Sequence, residues 1–503
     1  MINKIPKDVN ESQWQAICHD GSHLLIVAGP GTGKTHTLTY RIARLAEQLN
    51  VGQRILSITF TNKATEEMQK RLEKKFPGIE SRVCVTTFHG FCLQLLRDHA
   101  DLNHLPKDFK VATPEEIDLL IKELWMDKSA GERKNILNDI SRYKALVTKD
   151  SGVCLDQYNS FLRARGFIDF DDLLTQALNL LQHNEETLKQ TQLSYPFIFV
   201  DEYQDINPIQ HELLKILVTD NVHITAIGDP NQAIYGFRGS DVRFFESFVK
   251  DFPQAQKYFL SENYRSTANL LEASTQVISK NNFGVPALTA HLYDQGQLTI
   301  YEASTDKAEA EYVVHQIEKM VGGTSMFSQD SNRVTNDQKA DYSFGDIVIL
   351  YRLNALRNIL EKAFLRSGIP FQVSGNKPHA CDDPFVRQAE KVNLMTIHAA
   401  KGLEFPVVFM IGCEEHLLPL CLPGLESDHE EELRLFYVGM TRAKEKLYFT
   451  RAQRRALFGK ISHPAPSIYL EDIKEELKQY EKQEHHSKFN SAKNEAIQLT
   501  LFK

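Results

Sequence analysis

No apolar run in this chain is long enough to cross a membrane. The longest, HLLIVAG and PVVFMIG, fall far short of the roughly 20 residues that a bilayer-spanning helix needs. The opening MINKIPKDVNESQ lacks the apolar core and small-residue cleavage site of a secretory signal, so a cytoplasmic location is expected. Cysteine is sparse. Seven are scattered through 503 residues without a C-x-x-C pair, a pattern that offers neither a zinc site nor an iron–sulfur cluster, and no structural metal is expected. Excess positive charge is missing too. The formal net charge is -8, so nucleic acid could be held only by a local basic channel and not by the charge of the whole chain.

What is present is an ordinary globular composition, 42% hydrophobic and 25% charged, in a chain long enough for several cores. From His23 to about Asp98, short apolar runs alternate with amphipathic stretches: HLLIVAG, KTHTLTYRIARLAEQL, RILSITFT, ATEEMQKRLEKKF, RVCVTTF. This is a βαβαβ pattern and predicts an α/β fold with a parallel sheet. Helical periodicity then takes over to about Gln182, as in EEIDLLIKELW and DDLLTQALNLL, which predicts a helical insertion. PFIFVDE and VHITAIGD supply two further strands of the first sheet. A second alternating series from about Tyr258 predicts a second α/β domain. The polar run between Gly322 and Gly345 reads as a loop, and the last thirty or so residues read as a solvated tail.

AGPGTGKT occupies Ala28, Gly29, Pro30, Gly31, Thr32, Gly33, Lys34 and Thr35, between a strand and a helix. That is the setting of a phosphate-binding loop. Its glycines let backbone N–H groups surround phosphates, Lys34 reaches the outer ones, and Thr35 can hold Mg²⁺. FIFVDEYQD puts Asp201 and Glu202 at the end of an apolar strand. Asp201 is expected to bind Mg²⁺ and Glu202 to activate the attacking water, because phosphoryl transfer needs both neutralised charge and an oriented nucleophile.

DEYQD together with GDPNQAIYGFRGS resembles the UvrD/Rep-like helicases of superfamily 1A. VNESQWQA, ITFTNKATEEM, TTFHGFC, IDFDDLL, ENYRS, VNLMTIHAAKGLEF and ELRLFYVGMTRAK follow in that family's order. The resemblance implies two RecA-like P-loop NTPase domains. The first spans 1–95 and 185–257, with the helical insertion at 96–184. The second spans 258–472, and 473–503 is a flexible tail. It implies ATP and Mg²⁺ as cofactors, Gln13 reading the adenine edge, Tyr264 stacking on the base and Glu404 touching the ribose. Gln232 would sense the γ-phosphate, while Arg265 and Arg442, both in the second α/β half, would stabilise the transition state. ATP would then draw the two halves together. The same resemblance implies contacts to single-stranded DNA by Phe60, Asn62, His89, Tyr235, Phe237, Arg238, Thr396 and His398. Stacking contributes roughly 1 to 3 kcal/mol per base with little sequence preference.

The sequence departs from the family in places. His36 stands where relatives often carry an arginine beneath the adenine, and Phe237 where they often carry tryptophan. About fifteen residues between PFQVSGN and VNLMTIHAAKG replace a helical subdomain, and no fused nuclease is recognisable. At the C-terminus, Gln498, Leu499, Leu501 and Phe502 resemble the peptide by which replication and repair proteins bind a sliding clamp; a short strand packing on its own domain is the alternative. The resulting expectation is a 3′ to 5′ DNA helicase of repair, recombination or replication acting on single-stranded and tailed duplex DNA. Its alternatives are a translocase that strips proteins with little unwinding, a clamp-docked scaffold that does not hydrolyse ATP, and a motor on RNA.

Overall fold

The computed structural model describes residues 4–20, 22–103, 105, 108–148, 154–281, 283, 287–292, 295–322, 341–374, 390–421 and 428–481. Contacts divide the chain into two units, Met1–Gly296 with Glu426–Lys444, and Gln297–Leu425 with Glu445–Lys503.

The first unit is built on six strands: β1 (Leu24–Ala28), β2 (Ile55–Thr59), β3 (Val83–Thr87), β4 (Phe197–Val200), β5 (His223–Gly228) and β6 (Gln256–Leu260). They lie in the order β3-β2-β4-β5-β1-β6, and every pairing is parallel. Because side chains alternate along a strand, Leu25 and Val27 enter one hydrophobic cluster and Leu24, Ile26 and Ala28 the other. Both faces are covered, which is why LLIVA and FIFV read as unbroken apolar runs. Parallel strands also bring all their C-terminal ends to one edge. The segments starting at Gly29, Phe60, Phe88, Asp201 and Asp229 therefore leave the sheet on the same side.

Helices α1 (Glu11–Cys18), α2 (Lys34–Ala46), α3 (Asn62–Lys75) and α4 (Phe88–Asp98) flank this sheet. The stretch expected as an insertion, 96–184, carries α5 (Pro114–Leu124), α6 (Ala130–Lys144), α7 (Leu155–Arg163) and α8 (Phe170–His183), and α9 (Glu185–Ser194) follows it. Ile121, Trp125, Ile140, Tyr158 and Leu162 form a small core of its own. Buried Lys144 ties α6 to α8 through Asp169 at 2.7 Å and Asp172 at 2.8 Å.

The second unit carries β7 (Gln297–Ala303), β8 (Ile347–Tyr351), β9 (Phe371–Val373), β10 (Val392–Thr396), β11 (Phe405–Met410), β12 (Ala443–Ala452) and β13 (Gln479–Glu481), ordered β9-β10-β8-β11-β12-β7-β13. The pairings of β8 with β10 and β11, of β7 with β12 and β13, and of β9 with β10 are parallel. The α/β class with large parallel sheets is as expected.

Two boundaries differ from the expected ones. Residues 258–296 and 426–444 group with the first unit, held there by bonds such as Asn263 Nδ2 to the Pro30 carbonyl and Arg434 Nε to the Ala233 carbonyl, each 2.7 Å. Residues 479–481, expected in the tail, are an edge strand, and Glu481 accepts hydrogen bonds from the Tyr312 hydroxyl and from Gln316 Nε2 at 2.9 Å. The polar loop at 323–340, the fifteen residues at 375–389 and the clamp-like Gln498 to Phe502 lie outside the described residues.

Arg455 is buried between Glu309 and Glu414, with its Nη2 atom 2.5 Å from each carboxylate. Arg455→Met would leave two buried carboxylates unpaired. Urea denaturation is expected to show a loss of about 3 to 5 kcal/mol, most of it recovered when Glu309 and Glu414 are also made apolar; an unchanged midpoint would refute this role.

Candidate functional site

The loop after β1 is shaped by its glycines. Gly31 and Gly33 have φ of 69° and 82°, the left-handed region that residues with a Cβ avoid. A Cβ at Gly31 would stand 2.7 Å from the Asn263 amide nitrogen, and one at Gly33 would stand 2.7 Å from that of Gln13. Gly33 is the N-cap of α2 and provides no side-chain cap, so the first-turn N–H groups are open to an anion. Lys34 Nζ donates to the carbonyls of Ala28 and Gly29 at 3.0 and 3.1 Å. Burial pulls its pKa down, and the neighbouring Glu202, Asp229 and Asp201 oppose that shift. A cradle of open N–H groups with one buried cation fits a polyphosphate.

The acidic side of the site follows β4. Burial and the adjacent Glu202 push Asp201 up to about 7, while Lys34 acts against them. Glu202 adopts φ 51° and ψ 44°, a conformation that non-glycine residues take at a cost and that clusters at functional positions. Its backbone N–H donates to Asp201 Oδ1 at 2.9 Å, and its carboxylate accepts from Gln204 Nε2. Among the described residues, no group of three or more His, Cys, Asp or Glu side chains is arranged to hold a metal. A hard cation here would take the Asp201 carboxylate and the Thr35 hydroxyl from the protein and its remaining oxygens from phosphate and water, a donor set that fits Mg²⁺.

From Glu202 a chain of hydrogen bonds runs through the interior. Gln204 Oε1 accepts from the Asp229 N–H at 3.0 Å. Asp229 Oδ2 accepts from Gln232 Nε2 at 2.6 Å, and Gln232 Oε1 accepts from Arg442 Nη2 at 3.1 Å. Gln204, Asp229, Gln232 and Arg442 are all buried. Arg265 Nη1 donates to the Thr441 carbonyl at 3.2 Å, and its charge is among those that lower the Lys34 pKa. The structure thus brings together Lys34, Asp201, Glu202, Gln232, Arg265 and Arg442 in one unit. Sequence reasoning missed Gln204, Asp229 and Asn263, whose Nδ2 donates to the Pro30 carbonyl of the loop at 2.7 Å. They belong to motifs it quoted, but nothing in their residue type signals a buried linking role.

At the other end of the loop, Asn10 caps α1 and organises two expected base-contacting residues. Gln13 Oε1 accepts from the Asn10 N–H at 3.1 Å, and Gln13 Nε2 donates to the Thr32 carbonyl at 3.0 Å. Asn10 Nδ2 donates to the Tyr264 hydroxyl at 2.8 Å. His36 Nε2 lies 2.9 Å from the Asp8 carbonyl, and its ring meets Tyr40 edge-on.

The segments after β2, β3 and β5 line a cavity of about 520 Å³ that gathers Phe60, Asn62, His89, Tyr235 and Arg238 with Phe170 and Lys144. Phe60 stacks on Tyr235 with centroids 5.2 Å apart, and Arg238 lies 5.5 Å from the rings of both Tyr235 and Phe237. Phe237 is 64% exposed. His89 stacks on Phe170 at 3.8 Å, an aromatic that the reading of IDFDDLL did not single out. Flat rings and a guanidinium around an open cavity suit unpaired bases. Thr396, His398 and Glu404 belong to the second unit, at the end of β10 and just before β11.

The model of the UvrD/REP helicase N-terminal domain matches residues 9–253, and that of the UvrD-like helicase C-terminal domain matches 258–378 and 380–454. The ATP-dependent DNA helicase PcrA of Staphylococcus epidermidis is 28% identical to this chain, over 95% of it and 88% of the relative. That of Staphylococcus aureus is 27% identical, over 99% and 89%. Both alignments, of 656 and 676 positions, exceed the 503 residues of this chain, so these relatives carry segments without a counterpart here.

His89 gives the cavity a pH signature. Burial disfavours the imidazolium and holds its pKa down at about 4 against an ordinary 6.5. The unfolded chain therefore takes up this proton first as pH falls. The stability His89 contributes is complete above pH 6.5 and declines toward pH 4. Denaturation measured across that range should show a shallower decline for His89→Gln; an unaltered slope would mean that the ring is not held neutral.

Proposed function

Because the chain belongs to the UvrD/REP helicase family, we propose that it is an ATP-hydrolysing motor that moves 3′ to 5′ along single-stranded DNA and opens tailed duplexes in repair, recombination or replication. The observation that carries this reading is the meeting, in one unit, of a phosphate cradle and a half-buried aromatic stack with Phe237 exposed beside it, both on the C-terminal edge of one parallel sheet.

Each group then has a chemical task. The cradle N–H groups and Lys34 hold the phosphates of ATP. Thr35 and Asp201 would hold Mg²⁺, which when bound supplies charge neutralisation on the phosphates. Glu202, aimed by its unusual backbone and by Gln204, takes the proton of the attacking water. Gln232 orients groups at the outer phosphate, and Arg265 and Arg442 stabilise the charge that develops there, a contribution of about 10³ to 10⁵ in rate for such arginines. Tyr264 and Gln13 hold the base. Phe60, Tyr235, Phe237 and His89 stack on unpaired bases, with Asn62 and Arg238 on the backbone. Thr396 and His398 add DNA contacts from the second unit, where Glu404 would reach the ribose. Gln498, Leu499, Leu501 and Phe502 would dock on a sliding clamp.

A translocase with weak unwinding is the second reading. It is favoured by the segments present in the PcrA relatives and absent here.

Unwinding of matched duplexes with a 3′ or a 5′ single-stranded tail separates the two, alongside ATP hydrolysis with and without DNA. Only the 3′-tailed substrate should open, and Glu202→Gln should lower turnover by about 10² to 10⁴ while retaining ATP binding. Stimulated hydrolysis without unwinding would favour the translocase, and absence of DNA-stimulated hydrolysis would refute a motor.

A further inference from the structure

One helix of the first unit, His429–Met440, touches the segment between the nucleotide and the aromatic stack at successive points. That segment starts at Gln232, whose amide lies on Asp229 and Arg442, and within six residues reaches Tyr235, Phe237 and Arg238. Arg434, 4% exposed, donates from Nε to the Ala233 carbonyl at 2.7 Å. Its guanidinium lies 3.6 Å from Glu430 and 5.9 Å from the centroid of the Phe283 ring, so its orientation is fixed from several sides. Three residues earlier on the same helix, Glu431 accepts a hydrogen bond from the Gly236 backbone. A methyl group at Gly236 would overlap that carboxylate, so glycine lets the loop lie directly against the helix. Just past the helix, Arg442 reaches Gln232 itself.

Neither Arg434 nor Glu431 is needed to hold phosphate or to stack on a base. Arg434 is nevertheless a buried cation whose Nε bonds a carbonyl in the middle of the linking segment while Glu430 and Asp428 lie 3.6 and 4.0 Å from its other nitrogens, and a buried charge-assisted bond of this kind fixes geometry strongly. We propose that Arg434 and Glu431 are positioning residues that fasten the 232–237 segment to this helix, so that a change at Arg442 and Gln232 is passed as a rigid displacement to Tyr235 and Phe237. The proposal rests on the motor reading above, and names the residues through which nucleotide state and strand grip are coupled. Coupling of this kind is reciprocal in binding: the strand biases the arrangement of Gln232 as much as the nucleotide biases the stack.

The test uses the full chain, ATP and an oligo-dT strand, measuring turnover without and with saturating strand and strand affinity without nucleotide. Arg434→Met should keep turnover without DNA within about twofold and strand affinity within about threefold of the parent. The stimulation by DNA should fall by about tenfold, and Arg434→Lys, which restores a donor and a charge, should recover part of it. A loss confined to the stimulation ratio is not what a merely structural defect produces. If Arg434→Met does not unfold cooperatively, Glu431→Met, which leaves Arg434 in place, carries the same expectation. Full stimulation in these variants would overturn the coupling role while leaving the motor intact. A parent that DNA does not stimulate would overturn the motor reading and the proposal with it.

Discussion

Gln232 has one amide, and both of its ends are committed. Asp229 can only accept and Arg442 can only donate, so the amide can face only one way without losing a bond at each end. The group is buried, where an unmade hydrogen bond costs about 1 to 3 kcal/mol. This constraint orders the first unit. Through Asp229 and Gln204 it reaches the carboxylate of Glu202, and along the backbone it reaches the aromatic stack. A side chain that ordinary reasoning would treat as a single phosphate contact is also the joint between three motifs.

The parallel sheet makes such a joint possible. Six strands running the same way deliver their loops to one edge, so Asn263, just past β6, comes within hydrogen-bond distance of Pro30, just past β1, across 233 positions of sequence. Apolar strands buried on both faces hold that edge rigid, and the strained backbone of Glu202 is tolerated because its neighbours fix it from both sides. Charges in this interior are few and shared. Lys34 faces several carboxylates at once, and burial together with the adjacent Glu202 keeps Asp201 well above the ordinary carboxylate range despite it.

Much of this was legible in the chain. LLIVA, FIFV and AGPGTGKT carry their fold and chemistry in local pattern, because a doubly covered strand must be apolar and a phosphate loop must be glycine-rich. The resemblance supplied the remaining site residues by order of motifs. Less legible were contacts that depend on distance in three dimensions. Nothing in residue type marks Asn10 as the partner of both Gln13 and Tyr264, Asp229 as the acceptor for Gln232, or Phe170 as the ring on which His89 lies. The grouping of 258–296 and 426–444 with the first unit was hidden for the same reason: it is decided by tertiary bonds such as Asn263 to Pro30 and Arg434 to Ala233, not by composition. The strand 479–481 is three residues of polar character, and only its pairing with β7 distinguishes it from a tail.

The central claim is that the buried hydrogen bonds from Glu202 to Arg442 act as one unit. A double-mutant cycle on ATP turnover, with Gln204→Leu and Gln232→Leu singly and together, addresses it most directly. The account predicts that the two losses overlap, with an interaction free energy of about 1 to 3 kcal/mol. Losses that simply add would contradict it.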